Sequence, residues 1–547
     1  MNFNRILFTG LLISLVLFTV PLSAQERSPV VANQLALLDT IYTRIARSYV
    51  EEPPQEQLLR KGIDASLSAL DPYSNYMNKE EAEDFMFGLS AKFGGIGLVM
   101  GTMNKNTIYI KEIFKGYPAD RTGIKPGDVL LQIDTVSLKD KTIEQAFPLL
   151  RGKPGTAVSV RLFRPSTKES FTINTNREEV LLPSVPYHGV LANDIGYIKI
   201  TGETAQTGDE VRNALMEIKR NPKLKGLVLD LRGNIGGAMN QAIKVANLFL
   251  SKGLVAVSVK SWRTDTIAYL KEEPIDTQLP MVLLIDKETA SAGEIIAGAL
   301  QDHDRAILIG EKSFGKGMVQ RLYNLPDGQL LKLTTEYYFT PSGRCIQRKE
   351  KGGQRTEQWT DSAKKTVFTL NGRPVISYDG IAPDISMKIA AVPPVIQDLE
   401  RWPNSELFRF ANQYYITHKK IAPAVEFRIS DDDYNHFISF LKKENFSLTG
   451  SGELKLDQLE KTLELEGYNV ETQTALEKLR ALIKSDKERQ YIKYKNEIKS
   501  LLEGEIAVQY YYNQGRVANV LKDDEVLAKA LEVLGNWEKY KGVLTKK

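Results

Sequence analysis

The chain has 547 residues, 42% of them hydrophobic and 26% charged, with a net charge of +4 at neutral pH. That balance is ordinary for globular protein, gives no electrostatic footprint for nucleic acid, and at about 150 residues per domain predicts three or four domains. One cysteine (Cys345) excludes an internal disulfide and a cysteine-based metal site, and four dispersed histidines lack ligand spacing, so neither metal nor cofactor is expected.

The segment from Met1 to Arg5 is short and weakly basic, Ile6 to Val20 is almost wholly apolar, and Leu22-Ser-Ala24 offers a small-residue cleavage site. Residues 1–24 therefore read as a signal peptide, and the protein is expected to be exported to the periplasm or cell envelope. The competing reading is a retained membrane anchor, because the apolar run approaches spanning length. Polar sequence directly after Ala24 favours cleavage.

Residues 25–89 show helical spacing, with Leu35, Leu38, Ile41 and Ile45 and then Leu58, Leu59, Ile63, Leu67 and Leu70, broken by Asp71-Pro72. A helical collar is expected there. From residue 90 the texture turns to short β runs with glycine turns. Thr107-Ile-Tyr-Ile-Lys-Glu-Ile113 alternates, a short helix and a Pro-Gly turn precede a strand ending at Ile133, a helix spans 142–150, and Ala157 to Phe163 closes the unit. Between 179 and 390 strands alternate with helices: strands at 195–200, 226–231, 281–285 and 306–309, helices at 208–219, 240–250 and 293–301. That order favours a largely parallel sheet with covering helices, an α/β core. Residues 391–547 are charged and helical in spacing.

Thr289-Ala-Ser-Ala-Gly-Glu294 places Ser291 among small residues between an apolar run and a helical one. A strand-to-helix turn exposes a side chain at the top of a sheet and aims helix N–H groups at whatever it attacks. The bland reading is strong, because Ser-x-x-Glu is also a helix capping box. Company shifts the balance. Asp230-Leu-Arg-Gly-Asn-Ile-Gly-Gly237 follows a buried strand, and paired glycines there can turn N–H groups into a cleft, as an oxyanion requires. Ser313-Phe-Gly-Lys-Gly-Met-Val-Gln320 sets Lys316 between glycines; once desolvated, a lysine can be neutral and act as a base. Gln320, four residues on, faces the same side of an extended chain and could orient the amine. Alone, this stretch would pass for a hairpin with a solvated lysine. His303 is a helix length beyond the serine, which disfavours a serine-histidine pair. Phe93-Gly-Gly-Ile-Gly97 lacks the Gly-Lys-Ser/Thr of a phosphate loop and reads either as a nest for a terminal carboxylate or as a plain turn.

Taken together, the chain from Leu35 to Ile389 resembles the carboxyl-terminal processing peptidases, or tail-specific proteases. Leu70-Asp-Pro-Tyr-Ser-Asn-Tyr-Met77 is similar to their helical-segment signature, and residues 93–97 with Gly123-Ile-Lys-Pro-Gly-Asp128 to their PDZ domain. The 230–237, 289–294 and 313–320 segments with Tyr338-Phe-Thr-Pro-Ser-Gly-Arg344 are similar to their protease core, and Tyr378-Asp-Gly-Ile-Ala-Pro-Asp384 to the segment that ends it. The resemblance implies a crotonase-like ββα core (179–390) interrupted by a PDZ domain (90–178). It implies Ser291 as nucleophile, Lys316 as general base, Gln320 as its orienting residue, and an oxyanion hole from the N–H of Ala292 with that of Gly236 or Gly237. Ile235 stands where the family usually has proline, which leaves the donor glycine open. The PDZ unit is expected to take an apolar, free substrate C-terminus on the amides of Gly94, Gly95, Ile96 and Gly97, with Arg151 sensing the carboxylate or a gating movement. Residues 391–547 match no motif of the family and are read as an extension for self-association or an adaptor. The rivals are an inactive PDZ scaffold that binds C-termini without turnover, and a crotonase-type acyl-CoA enzyme, which export disfavours.

Overall fold

The computed structural model describes residues 29–103, 107–261, 265–348, 366–388, 392–400, 406–444, 446, 448 and 451–545. The expected signal segment lies outside them. The described residues up to Pro72 form one compact unit and those from Tyr73 onward another. In the first, the apolar spacing becomes two helices, α1 (Pro29–Ser48) and α2 (Gln55–Ser68), joined by the Tyr42 hydroxyl donating to the Leu58 carbonyl at 2.9 Å. No described helix is long and apolar enough to cross a membrane.

The second unit opens with β1 (Asn75–Met77) and α3 (Lys79–Ser90), the latter started by a reciprocal capping box between Asn78 and Glu81. A β unit follows: β2 (Lys92–Gly95), β3 (Leu98–Met103), β4 (Thr107–Ile113), α4 (Pro118–Arg121), β5 (Val129–Ile133), β6 (Val136–Ser137), α5 (Ile143–Leu150), β7 (Ala157–Arg164), β8 (Glu169–Asn176) and β9 (Glu178–Leu181). Its sheet runs β3-β4-β5-β7-β8, which leaves β3 at the edge, while β2 pairs with β9. Ile96, Ile110, Ile133, Val160 and Leu162 form its separate core.

Beyond it come β10 (Tyr187–Leu191), β11 (Ile195–Lys199), α6 (Thr207–Ile218), β12 (Gly226–Asp230), α7 (Met239–Asn247), β13 (Val255–Lys260), β14 (Asp265–Tyr269), β15 (Met281–Ile285), α8 (Ala292–Asp302), β16 (Ile307–Gly310), β17 (Met318–Asn324), β18 (Leu330–Phe339), β19 (Thr366–Phe368), β20 (Pro374–Ile376) and β21 (Ile385–Ser386). The sheet β10-β11-β12-β15-β16-β21 is parallel throughout except for β10 on β11. A second, antiparallel sheet, β1-β18-β13-β14 with β17 on β18, was not foreseen from the sequence.

Side chains alternate across a strand. Leu227, Leu229 and Leu283 accordingly face α6, α7 and α8, whereas Val228, Val282 and Leu284 face the opposite way, onto Val526, Leu527, Ala530 and Val533 of the helix Glu525–Gly535. The C-terminal helices thus supply the second cover that a parallel sheet needs. They also hold the β unit. The Phe408 ring stacks on Tyr109 at 4.5 Å, Arg516 pairs with Glu112 at 2.6 Å, and the Tyr512 hydroxyl donates to Asp120 at 2.8 Å.

Candidate active site

Ser291 sits where β15 turns into α8, with φ +54° and ψ −117°. For a residue with a Cβ such a backbone costs on the order of 1–3 kcal/mol and persists only where its surroundings over-determine it. They do so here. The Ser291 N–H donates to Glu294 Oε2 at 2.9 Å, and its carbonyl accepts from the Tyr338 hydroxyl at 2.9 Å and from the Glu294 and Ile295 amides. The Thr289 hydroxyl donates to the Leu231 carbonyl at 2.9 Å, and the Ala290 amide to that of Asn234 at 2.8 Å. Of the expected capping box one half forms, the Ser291 N–H donating to the Glu294 carboxylate; the Glu294 amide donates to the Ser291 carbonyl, and the serine hydroxyl makes no cap hydrogen bond.

Gly236 passes directly over this elbow. A Cβ added to it would lie 2.6 Å from Ser291 Cβ and 2.9 Å from the Ala292 nitrogen, at φ +94°. Its N–H is already engaged, donating to Asn234 Oδ1 at 2.8 Å. Gly237 differs. Glu203 bonds to the residues on either side of it, through the Gly236 carbonyl at 3.3 Å and the Ala238 amide at 2.8 Å, so the N–H of Gly237 itself faces away from Glu203. Among the described residues the N–H groups of Gly237 and of Ala292, the first of α8, donate to no protein acceptor.

Lys316 is brought to the same place by Glu294. This carboxylate is fully buried and accepts four hydrogen bonds: from the Ser313 hydroxyl (2.5 Å) and Gly315 N–H (2.7 Å) at Oε1, and from the Lys316 N–H (2.8 Å) and Ser291 N–H (2.9 Å) at Oε2. The sequence shows Glu294 only as a capping partner, since nothing local announces a ligand twenty residues on. The flanking glycines are needed for close passage, because a Cβ at Gly315 would meet the Gly380 nitrogen at 2.9 Å and one at Gly317 the Gln347 nitrogen at 2.9 Å. The half-buried Lys316 amine lies 4.7 Å from the centre of the Tyr73 ring. A β-bulge between Val319 and Gln320 breaks the alternation on which the four-residue spacing rested. The Gln320 amide donates to Thr334 Oγ1 at 3.2 Å, and the Thr334 N–H donates to the Ser74 hydroxyl beside Tyr73. His303 caps the far end of α8 with its ring against the Val255 carbonyl.

The acids beneath the site are buried, and their titration registers that. Burial raises the Glu294 carboxyl above its ordinary range, and raises Glu203, which approaches from the other side of Gly237, to about 7. Burial would also raise Asp230, but Lys199 and Arg232 outweigh it and hold that carboxyl well below the usual range. Arg232 is gripped in turn by both oxygens of Asp524, the cap of the helix Glu525–Gly535.

In the β unit the expected nest begins within a strand. Gly94 and Gly95 belong to strand β2, paired with β9, and the Gly94 carbonyl accepts from Gly152. The N–H groups of Ile96 and Gly97, beyond the strand, donate to no protein acceptor among the described residues. Arg151, at the C-terminal cap of α5, has its guanidinium carbon 3.9 Å from the centre of the Phe87 ring and 4.4 Å from that of Phe147, with Nε and Nη2 buried and without hydrogen-bond partners.

A strained serine at a strand-to-helix turn, faced by glycine-loop amides on a parallel sheet, defines a hydrolase-type elbow. Comparison with known proteins gives the family. Residues 194–355 match peptidase family S41, 109–164 a PDZ domain, and 402–534 the C-terminal helical domain of probable PDZ-proteases. The chain is 36% identical over 319 residues to the carboxy-terminal-processing protease of Bartonella bacilliformis, covering 58% of this chain and 73% of that one. It is 34% identical over 330 residues to carboxy-terminal processing protease CtpA of Bacillus subtilis, covering 60% and 70%. Among solved structures, a photosystem II D1 C-terminal processing protease aligns over 68% of this chain and 99% of its own, at 23% identity and a TM-score of 0.36. The chain belongs to peptidase family S41, with a PDZ domain and a C-terminal helical domain. The last of these corrects the sequence reading, which placed no family motif after residue 391.

Proposed function

We propose that the chain is an exported serine endopeptidase that selects proteins by an apolar, free C-terminus and cleaves them through Ser291. One observation carries this reading: a single buried carboxylate oxygen, Glu294 Oε2, accepts from the backbone N–H of Ser291 and from that of Lys316, so the backbones that bear the hydroxyl and the amine are tied together by two hydrogen bonds. Lys316 takes the serine proton as the hydroxyl attacks, returns it to the leaving amine, and then activates the water that hydrolyses the acyl-enzyme. Gln320 acts on the lysine side through Thr334 and Ser74. The N–H groups of Ala292 and Gly237 receive the oxyanion, whereas Gly236, its own N–H occupied, sets the loop's path.

In this reading residues 1–24 are a cleaved signal, 25–89 a helical collar, 90–178 the PDZ domain, 179–390 a crotonase-like core, and 391–547 the helical domain, which is also the surface for any self-association or adaptor. The substrate carboxylate is taken by Ile96, Gly97 and Arg151. The test is cleavage of an unfolded protein with and without an apolar tail by wild type, Ser291→Ala and Lys316→Ala. Loss of cleavage in both variants, tail dependence in the wild type, and an acid limb in kcat/KM are expected. Undiminished cleavage by Ser291→Ala would refute the proposal, and binding without turnover by the wild type would favour an inactive scaffold.

A further inference from the structure

Helix α3 lies against the place where a substrate's chain end is expected. Strand β3 is a sheet edge with open backbone groups, and a peptide adding to it would run towards the unpartnered N–H groups of Ile96 and Gly97. That end of the domain is walled by Phe93 before the loop and by Phe147 and Arg151 from α5 and its cap. Phe87 of α3 stands among them. Its ring meets Phe93 edge-on at 5.4 Å and Phe147 at 6.5 Å, and the guanidinium of Arg151 lies over its face at 3.9 Å. Asp84, three residues earlier and so on the same helix face, brings a carboxylate to 3.8 Å from Arg151 Nη1. Asp84 and Phe87 together present a carboxylate and an aromatic ring, the two groups that a free C-terminal phenylalanine presents. Arg151 still keeps two buried nitrogens, Nε and Nη2, without a hydrogen-bond acceptor, so the internal pair fills the site incompletely. A true chain end, whose carboxylate is attached to the residue bearing the ring, could satisfy them.

We infer that Asp84 and Phe87 are an internal stand-in for the substrate's last residue, and that the PDZ domain selects chains ending in an aromatic residue, which must displace α3 to bind. This rests on the chain-end reading proposed above and names its substrate class. Once Phe87 has withdrawn, two rings, Phe93 and Phe147, and the Arg151 guanidinium reward a flat ring through edge-to-face and cation–π contacts that an aliphatic side chain does not make.

The full chain carrying Ser291→Ala is titrated by fluorescence anisotropy with labelled ten-residue peptides ending in Phe, in Leu, in Asp and in Phe-amide. The Phe peptide is expected to bind on the order of tenfold tighter than the Leu peptide, and the Asp peptide and the amide far more weakly. Adding Phe87→Ala, or Asp84→Asn, should tighten the Phe peptide by about tenfold by removing the competitor, with Phe87→Leu between the two and circular dichroism unchanged. Equal binding of the Phe and Leu peptides, or no tightening in any α3 variant while acid is still preferred over amide, would overturn the inference and leave the chain-end reading standing. Equal binding of acid and amide would overturn both.

Discussion

Replacing Glu294 with glutamine removes a charge and almost no volume, yet it should disable the site. The carboxylate accepts two donors at each oxygen, four in all, and is fully buried. A glutamine keeps one oxygen. Whichever way the amide turns, its NH2 faces two donors, either the N–H groups of Ser291 and Lys316 or the Ser313 hydroxyl and the Gly315 N–H. Leaving two buried donors unsatisfied costs about 1–3 kcal/mol each, so a loss of roughly 2–6 kcal/mol is expected unless the 313–317 loop moves away. Movement relieves that cost but separates Lys316 from the elbow, and a displacement of about 1 Å at a reacting group is worth on the order of a hundredfold in rate. The assay is kcat/KM on a tailed, unfolded substrate, beside thermal unfolding and labelling of Ser291 by an acylating probe. The variant should lose at least about a hundredfold in kcat/KM whether or not its melting point falls. Activity within about threefold of wild type at an unchanged melting point would refute the argument that this carboxylate holds serine and lysine together.

Gly236→Ala should abolish Ser291 labelling and lower kcat by about a hundredfold or more, since the new methyl would sit 2.6 Å from Ser291 Cβ and 2.8 Å from the Ala290 carbonyl; normal labelling would show that the loop yields instead. Glu203, raised to about 7 by burial, stabilises the fold in its protonated form; that contribution is complete below the ordinary carboxyl range near 4.5 and is lost as pH rises through about 7. Relative to Glu203→Gln, the wild type should therefore lose about 3 kcal/mol across that window, and parallel melting curves of the two proteins against pH would exclude it. Asp524→Ala removes both the cap of the helix Glu525–Gly535 and the partner of Arg232, whereas Asp524→Asn keeps the cap. Hydrogen exchange in that helix should quicken in the alanine variant by the equivalent of about 1 kcal/mol and stay near wild type in the asparagine variant, with catalysis reduced in both; identical exchange in all three proteins would show that the cap is dispensable.

Much of the protease core was legible because its signals are local. The apolar runs at 226–231 and 281–285 can only be strands buried on both faces, and Ser-Ala-Gly-Glu marks a helix start, which α8 makes at Ala292. The antiparallel sheet escaped notice because β18 alternates buried and half-buried residues weakly along Leu330 to Phe339, and its partners β1 and β13 are remote in the chain. The spacing argument for Gln320 met the bulge before it, a feature that pairing with β18 imposes and that no local pattern records.

By itself the sequence determined the strand-turn-helix at Ser291, the glycine loop at 233–237, the glycine-flanked Lys316 and the resemblance that these motifs form together. Each is fixed by neighbours a few residues apart, through side-chain period, capping and the backbone freedom of glycine. Only the tertiary structure decided that Glu294 joins the elbow to the lysine loop, that Gly237 rather than Gly236 has its amide to spare, that Phe87 and Asp84 stand beside Arg151, and that Asp524 grips Arg232 from nearly three hundred residues away. Such contacts form where folding brings distant polar groups into one dry interior, and there an acceptor is chosen by which donors would otherwise go unpaired, a choice that adjacency along the chain does not encode.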